Sequence, residues 1–214
     1  MLFRKSVRVP PPTIETVRKQ ARILVIDDQD WPAQLMFERD GYHVERWPEV
    51  KSLSQLTDGH YHLILLDING VGLNESPDLQ GLGILDHVKT TNPAQSVIVY
   101  SAQKQRISAN KYLSKADAVM DKGMSYVDYK SRVDQLLLSR ATPAFFISVM
   151  NQELGESAAL VPLAVKKALR SLDSGDISGF AKYMAKSLSD KERVDFLVGI
   201  ISIGIQTTQA LAGS

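Results

Sequence analysis

The sequence predicts an α/β fold, in which a doubly wound, five-stranded parallel sheet is followed by a small all-α domain. Short apolar runs rich in β-branched residues recur from residue 21 onward, and segments of helix length separate them. Runs that are apolar on both faces are typical of parallel strands covered by helices on two sides. Five strand–helix units within roughly 120 residues favour an open parallel sheet. After Pro143 the pattern is helical, which indicates a second domain.

The predicted strands comprise residues 22–27, 42–47, 62–68, 96–101 and 116–121. The helices that connect them are predicted at residues 31–40, 49–56, 81–91, 104–114 and 125–139. Asp30 suits the N-cap of the first of these helices, and Pro48 suits the start of the second. Trp31 and Trp47 are expected to cover apolar surface beside the sheet. The inner face of the last helix is predicted to carry Val127, Val133, Leu136 and Leu137.

The charge of the chain is unevenly spread but nowhere strongly basic over a wide surface. Residues 1–20 carry five basic groups and one acidic group, whereas residues 21–140 carry 13 basic and 16 acidic groups. Residues 141–214 carry seven of each sign. Nucleic-acid binding is therefore not expected, because it needs a broad cationic surface. The basic, Pro-containing arm at residues 1–20 is interpreted as a solvated tail.

The residue types that are missing exclude several functions. The chain has no cysteine, which excludes disulfides, thiol catalysis and zinc sites with cysteine ligands. The amino-terminal segment lacks the apolar core of a secretory signal, so a cytoplasmic location is expected. The four histidines lie on separate predicted elements and do not suggest a metal cluster.

Polar side chains follow the predicted strands at the points where the strands end. Asp27 and Asp28 end the first strand, and Asp67 ends the third, two residues before Asn69. Ser101 ends the fourth strand and Lys122 follows the fifth. Because the carboxyl ends of parallel strands meet at one edge of a sheet, these side chains are expected to share a crevice.

The residue types in this crevice fit one kind of chemistry. Three neighbouring carboxylates repel each other unless a cation neutralises them, and oxygen ligands suit Mg2+. Phosphoryl transfer needs an oxygen nucleophile, a divalent ion and positive charge near the phosphoryl oxygens. Asp67 can serve as the nucleophile, while Lys122 and Ser101 can contact the phosphoryl oxygens.

The motifs ILVIDD, LILLDI, VIVYSA and DKG resemble, in this order, those of the receiver domain of two-component response regulators. The resemblance covers roughly residues 21–140 and implies a flavodoxin-like receiver fold. It implies that Asp67 is the phosphorylated aspartate and that Asp27 and Asp28 form an acidic pair that binds Mg2+. It also implies that the backbone carbonyl of Asn69 is a metal ligand.

The same resemblance implies that Ser101 is the hydroxyl that moves toward the phosphoryl group, and that Lys122 is the lysine of the receiver site. The implied phosphoryl donor is a sensor histidine kinase or a histidine phosphotransfer protein. The implied role is signalling rather than enzymatic, with at most self-catalysed phosphorylation and dephosphorylation.

The chain departs from the receiver pattern in three places. Gly123 stands where receivers usually carry a proline, and Val119 stands where they tend to carry an aromatic residue that rotates on activation. Tyr100 or Tyr112 could substitute for that aromatic residue. The segment 70–80 (GVGLNESPDLQ) is about six residues longer than the usual spacing and is expected to be a mobile surface loop. It can cover the crevice or contact a partner, or it can be a tolerated insertion.

Residues 141–214 are predicted to form a helical output or oligomerisation domain. Helices are expected at residues 145–154, 158–172 and 177–188, and a capping box at residues 189–192 (SDKE) is expected to open a fourth. The last helix is uncharged from Phe196 onward, which favours burial in this domain or in a homodimer interface. Gly199 and Gly204 would allow helices to approach closely.

Three functions of the whole protein are consistent with these features. The favoured one is a response regulator that signals through a helical protein-interaction or dimerisation domain. A transcriptional regulator that contacts DNA through the basic arm is an alternative, although no basic recognition helix follows the receiver. A membrane-associated effector, anchored by the apolar last helix, is the other alternative, but polar residues after Ile205 count against it.

Overall fold

The fold is described from a computed structural model that covers residues 12–102 and 111–213. Its centre is one sheet of five parallel strands in the order β2-β1-β3-β4-β5. The strands are β1 (Arg22–Ile26), β2 (His43–Trp47), β3 (Leu63–Asp67), β4 (Val97–Ser101) and β5 (Ala118–Asp121). This is the order found in flavodoxin-like doubly wound folds, so the predicted fold class is confirmed.

Helices cover both faces of this sheet and continue beyond it. Those around the sheet are α1 (Ile14–Gln20), α2 (Gln34–Arg39), α3 (Leu53–Thr57), α4 (Gly81–Thr91) and α5 (Tyr126–Arg140). The carboxyl-terminal region contains α6 (Pro143–Leu154), α7 (Ala164–Ser174), α8 (Ser178–Ser187) and α9 (Lys191–Ala212). Short 3-10 helices lie at Leu113–Lys115 and Gly155–Leu160. Most of the helix predicted at residues 104–114 lies outside the described residues.

The central strands form because their side chains are apolar on both faces. Every residue of β3 and of β4 is buried, and two separate cores lie on the two sides of the sheet. Trp31 belongs to one core and Trp47 to the other, as expected from the sequence. Asp67 and Ser101 end buried strands, so their polar groups are held at the carboxyl edge of the sheet.

Two predicted helix starts are wrong. The helix predicted from residue 31 begins at Gln34, after Ala33 as N-cap, and Asp30 is an exposed side chain that pairs with Arg46 at 3.1 Å. The helix predicted from residue 49 begins at Leu53 because the hydroxyl of Ser52 accepts a hydrogen bond from the backbone N–H of Gln55. Only the second start is fixed by a capping side chain, because Ala33 makes no side-chain cap hydrogen bond.

The interpretation of residues 1–20 as a solvated tail is wrong for the part that the structure describes. Residues 14–20 form α1, whose Val17 is buried in the core beside α5 and α9. Arg18 pairs with Asp134 of α5 at 2.6 Å. Apolar and ionic contacts therefore both hold α1. Residues 1–11, which include three of the basic groups, lie outside the described residues.

The inner face of α5 differs from its prediction at one position. Val133 and Leu137 are fully buried and Leu136 is partly buried, as predicted. Val127, in contrast, is 72% exposed, because Tyr129 takes the buried position in the first turn. The aromatic ring reaches the core from a position that the valine spacing did not indicate.

The carboxyl-terminal domain is helical, as predicted, but its helices begin and end at residues other than the predicted ones. The helix predicted at residues 158–172 is divided at Pro162 into a 3-10 helix and α7, since proline interrupts helical hydrogen bonding. The N-cap of α9 is Asp190 rather than the Ser189 of the predicted capping box, and its carboxylate accepts from the backbone N–H of Arg193. The apolar side of α9 packs inside this domain, which confirms the predicted burial.

The last helix also explains why a glycine is needed at position 204. A Cβ atom there would lie 2.7 Å from the ring of Phe146 and 2.9 Å from Leu172. Gly204 therefore permits close packing of α9 on α6 and α7, as the sequence indicated. The same expectation is wrong for Gly199, because a Cβ atom there would meet no atom within 4 Å. By length and composition α9 could also cross a membrane, but its apolar side is occupied by the helical core.

The helical domain packs on the amino ends of the strands. Ala94, just before β4, belongs to the same apolar core as α6 and α9. Arg140, at the end of α5, donates a hydrogen bond to the carbonyl of Ala94. Ile203 of α9 lies against Gly59, which precedes β3. The helical domain and the polar strand ends are thus on opposite edges of the sheet.

Candidate functional site

Three carboxylates converge at the carboxyl ends of β1 and β3. Asp27, Asp28 and Asp67 each offer an oxygen, and these oxygens lie within 4.8 Å of one another. Asp27 and Asp67 are buried, whereas Asp28 is exposed. The structure therefore brings together the three acidic residues that the sequence predicts at this edge. Two buried carboxylates and one open to solvent suit an oxygen-ligated divalent cation that keeps some of its water.

Lys122 links two of these carboxylates. Its Nζ atom lies 2.6 Å from Asp67 Oδ2 and 3.0 Å from Asp27 Oδ2. Burial alone lowers the pKa of Lys122, but its bonds to Asp67 and Asp27 outweigh burial, and the pKa is raised from its ordinary value. The ammonium group therefore stays charged between the two anions.

Burial raises the pKa of Asp67 from its ordinary value. The bond from Lys122 opposes this shift, and the neighbouring charge of Asp27 adds to it. The raised pKa of Asp67 and the raised pKa of Lys122 are compatible, because the two groups have different neighbours. Asp67 has one cationic and one anionic neighbour, whereas Lys122 has two anionic neighbours. A positive group delivered to this crevice would therefore favour the ionised form of Asp67.

The backbone fixes the other oxygen of Asp67. Its Oδ1 atom accepts hydrogen bonds from the backbone N–H groups of Ile68, at 2.7 Å, and Asn69, at 3.3 Å. The side chain is thus held by the turn that follows β3. Asn69 lies in that turn, so its backbone is beside the acidic cluster, where the sequence places it.

Ser101 and the segment after β5 complete the edge of the crevice. Ser101 is buried at the end of β4 and pairs in register with Asp121. Its carbonyl accepts a hydrogen bond from the backbone N–H of Lys122 at 3.2 Å, so the two residues are close. Gly123 donates its N–H to the carboxylate of Asp121, and the bond before it is trans. Val119 is 41% exposed and lies away from the buried cluster.

The loop at residues 70–80 is tied at several points, although its composition predicts mobility. Glu49 accepts hydrogen bonds from the backbone N–H groups of Gly72 and Leu73. The side chain of Gln80 accepts from Gly70 N at 2.9 Å. A Cβ atom on Gly70 would lie 2.7 Å from Asp28, so the first residue of the loop borders the acidic cluster. Glycine is required there for this close approach and for a φ of +75°.

Sequence reasoning considered Tyr100 only as a substitute for the aromatic residue absent at Val119 and missed its hydroxyl in the crevice. Tyr100 lies next to Ser101 in β4, is fully buried, and its hydroxyl donates a hydrogen bond to Asp27 Oδ2 at 2.6 Å. The tyrosine within the aliphatic run VIVYS could have indicated this contact, because a buried hydroxyl requires a hydrogen-bond partner. Its partner cannot be identified without the strand order.

Several solved structures are similar to this chain in fold. A response regulator receiver domain protein from Methanospirillum hungatei is 23% identical, with 55% of this chain and 93% of that chain covered and a TM-score of 0.43. The response regulator TrrA from Thermotoga maritima, in complex with Mg2+ and BeF, is 21% identical, with 54% and 98% covered and a TM-score of 0.42. NtrX from Brucella abortus, in complex with ATP, is 19% identical, with 72% and 35% covered and a TM-score of 0.47.

These are structures of response regulators, and the likeness in each case is one of fold. The sequence motifs at the strand ends and the observed strand order agree with the same resemblance. A scan against protein-family models and a search of curated proteins give no match.

Proposed function

We propose that this chain is a response regulator of a two-component phosphorelay and that Asp67 accepts the phosphoryl group. The main support is the position of Lys122, whose ammonium group lies between Asp67 and Asp27 at the mouth of a three-carboxylate cluster. A nucleophilic oxygen, a cation for the phosphoryl oxygens and a set of metal ligands thus lie in one place.

The proposed reaction transfers a phosphoryl group from a phosphohistidine of a sensor kinase or phosphotransfer protein. An oxygen of Asp67 forms a bond to phosphorus while the bond from phosphorus to the histidine nitrogen breaks. The electron pair of that bond leaves with the imidazole nitrogen, and Asp67 becomes an acyl phosphate. No oxidant or further co-reactant is needed.

The residues of the chain have separate tasks in this proposal. The backbone N–H groups of Ile68 and Asn69 hold one oxygen of Asp67 and so orient the carboxylate. Lys122 moves from the carboxylate to the equatorial phosphoryl oxygens, whose charge it offsets. Ser101, at the end of β4, is proposed to donate a hydrogen bond to the same oxygens.

The donor set fits Mg2+. Asp27, Asp28, Asp67 and the backbone carbonyl of Asn69 would hold the ion, since oxygen ligands at this spacing match its preference. When bound, Mg2+ supplies positive charge to the phosphoryl oxygens during transfer.

The output is proposed to be a change in self-association or partner binding through residues 141–214. That region forms its own apolar core and docks on the amino ends of the strands. A phosphorylation signal must therefore cross the sheet or reach partners at the crevice directly.

Phosphodonor labelling in the presence of Mg2+ tests the proposal. The intact mass of the full chain should rise by one phosphoryl group with a small-molecule acyl-phosphate donor, and Asp67→Asn should show no increase. Asp121→Asn is a matched control, because Asp121 also ends a strand at this edge but lies outside the three-carboxylate cluster. An unlabelled wild-type protein, or full labelling of Asp67→Asn, would contradict the proposal.

The output is tested by measuring molecular size and the affinity of isolated partners with and without the phosphodonor. The proposal predicts a change in at least one of the two for the wild type and none for Asp67→Asn. Identical association states and affinities in labelled and unlabelled wild-type protein would contradict signalling through residues 141–214.

A further inference from the structure

Tyr100 places a phenol hydroxyl inside the acidic cluster. The residue is fully buried in β4, and its hydroxyl donates to Asp27 Oδ2 at 2.6 Å. Its ring also lies 5.1 Å from the Nζ atom of Lys122. Tyr100 therefore contacts both a carboxylate and the ammonium group of the proposed site.

These contacts leave Asp27 with donors on both oxygens. Oδ2 is shared by the Tyr100 hydroxyl and the Lys122 ammonium, and Oδ1 accepts from the backbone N–H of Gln29 at 2.9 Å. Asp27 is only 2% exposed, so water supplies little compensation for a lost bond. A buried carboxylate that loses a donor bears the desolvation cost of the unpaired oxygen.

We infer that Tyr100 is a positioning residue for the phosphoryl site, which acts by orienting Asp27. The inference rests on the proposed function. Tyr100 keeps Asp27 aimed at the cluster, and it remains bonded to Oδ2 when Lys122 moves to the phosphoryl oxygens. Partners that orient a metal-binding carboxylate commonly alter metal affinity when they are removed.

The chain offers a matched control for this bond. Tyr61 is also buried, and its hydroxyl donates to a carboxylate at the same distance, 2.6 Å, but the acceptor is Glu45 on the outer strand β2. Tyr61→Phe removes a phenol–carboxylate bond of the same length outside the acidic cluster. The Tyr61→Phe variant therefore measures the effect of deleting a phenol–carboxylate hydrogen bond away from the proposed site.

The experiment measures the binding of Mn2+, a paramagnetic substitute for Mg2+, to the full chain by the loss of the free-ion electron paramagnetic resonance signal. We expect Tyr100→Phe to weaken Mn2+ binding by about tenfold, in the range found for such orienting partners. Tyr61→Phe should leave the affinity within about twofold of the wild type, because Glu45 is not part of the cluster. Far-ultraviolet circular dichroism and urea midpoints confirm that each variant is folded.

A double-mutant cycle separates an effect through Asp27 from a general change in packing. In an Asp27→Asn background, Tyr100→Phe should cause no further loss of Mn2+ affinity, because the carboxylate that Tyr100 orients is already removed.

The inference is overturned by wild-type affinity in Tyr100→Phe, by equal losses in the two backgrounds, or by an equal loss in Tyr61→Phe. If the wild type is labelled at Asp67 and Tyr100→Phe binds Mn2+ with wild-type affinity, the proposed function stands and only this inference is lost. A wild type that binds no Mn2+ contradicts the metal site and the inference together.

Discussion

The two edges of the sheet hold their buried charges in different ways. At the carboxyl edge, the buried carboxylates of Asp27 and Asp67 share the ammonium group of Lys122. At the amino edge, Arg140 is fully buried, and among the described residues its Nε and Nη2 atoms have no hydrogen-bond acceptor. Burial lowers the pKa of Arg140 to about 10.

The surroundings of Arg140 are mainly apolar. The rings of Phe145 and Phe146 lie 6.0 and 5.8 Å from its guanidinium carbon, and a backbone carbonyl accepts its principal hydrogen bond. His62, at the same edge, is also buried. The helical domain thus covers one edge, while the opposite edge keeps Asp28 exposed and its charges close to solvent.

The difference between the two edges indicates which of them can respond to a ligand. Charges that are paired near solvent can exchange partners when an ion or a phosphoryl group arrives. Charges that are sealed under packed rings are costly to rearrange. We therefore expect the carboxyl edge to carry the chemistry and the amino edge to fix the helical domain in place.

The largest effect is expected for Lys122→Met, which removes the cation of the carboxyl edge. Labelling of Asp67 by a small-molecule phosphodonor should slow by about 100-fold or more, as for the loss of one preorganised donor at a reacting oxygen. Intact-mass time courses measure the rate. Lys115→Met is the control, because Lys115 forms its ion pair with Asp86 on the surface. Equal rates in the two variants would show that Lys122 is not part of the site.

Next in size is Phe146→Ala at the amino edge. Phe146 is fully buried against α9, so its loss should lower the free energy of unfolding by about 3–5 kcal/mol. Urea denaturation measures the change, and Phe145→Ala, at a less buried ring, should cost less. The labelling rate per folded molecule should stay at the wild-type level. A large fall in that rate would break the proposed separation of the two edges.

The amino edge should also be sensitive to acid through His62. Burial, with the nearby charges of Arg140 and Arg22, lowers the pKa of His62 from 6.5 to about 3. The Nδ1 atom of His62 accepts a hydrogen bond from the backbone N–H of Arg22. As the pH falls below 6.5, the unfolded chain binds a proton that the folded chain excludes. Stability is therefore lost between pH 6.5 and about 3, at up to roughly 1.4 kcal/mol per pH unit.

Urea denaturation between pH 7 and pH 5 tests this dependence before most carboxylates titrate. His62→Gln should flatten the profile in this window, whereas His43→Gln, at an exposed histidine, should leave it unchanged. A wild-type protein equally stable at both pH values would contradict the account of the buried imidazole.

The smallest effect is expected in the loop that borders the acidic cluster. Glu49→Gln weakens the bonds to the N–H groups of Gly72 and Leu73 and should cost about 1–2 kcal/mol locally. Amide hydrogen exchange at Gly72 and Leu73 should become faster, with the exchange in β3 unchanged. Unaltered exchange at both amides would show that the loop is held by other contacts.

The sheet and the acidic cluster were predictable from sequence because both depend on short-range patterns. Runs that are apolar on both faces indicate parallel strands, and residues at the ends of such strands meet at one edge. The sequence alone therefore groups Asp27, Asp28 and Asp67 and places Lys122 beside them.

The remaining features depend on packing between distant segments. The sequence assigns Val17 to a tail because its partners on α5 and α9 are more than a hundred residues away. The Tyr100–Asp27 bond joins two strands that are separated by β3 in the sheet. The burial of Arg140 depends on a helical domain whose position no local pattern indicates.

The most direct test of the difference between the two edges is a nuclear magnetic resonance titration of the full chain with Mg2+ and beryllofluoride, a phosphoryl mimic. Backbone amide shifts should change most at Asp28, Asp67, Asn69 and Lys122, and little at His62, Ala94 and Arg140. Changes that are largest at the amino edge, or no changes at all, would contradict the assignment of the chemistry to the carboxyl edge.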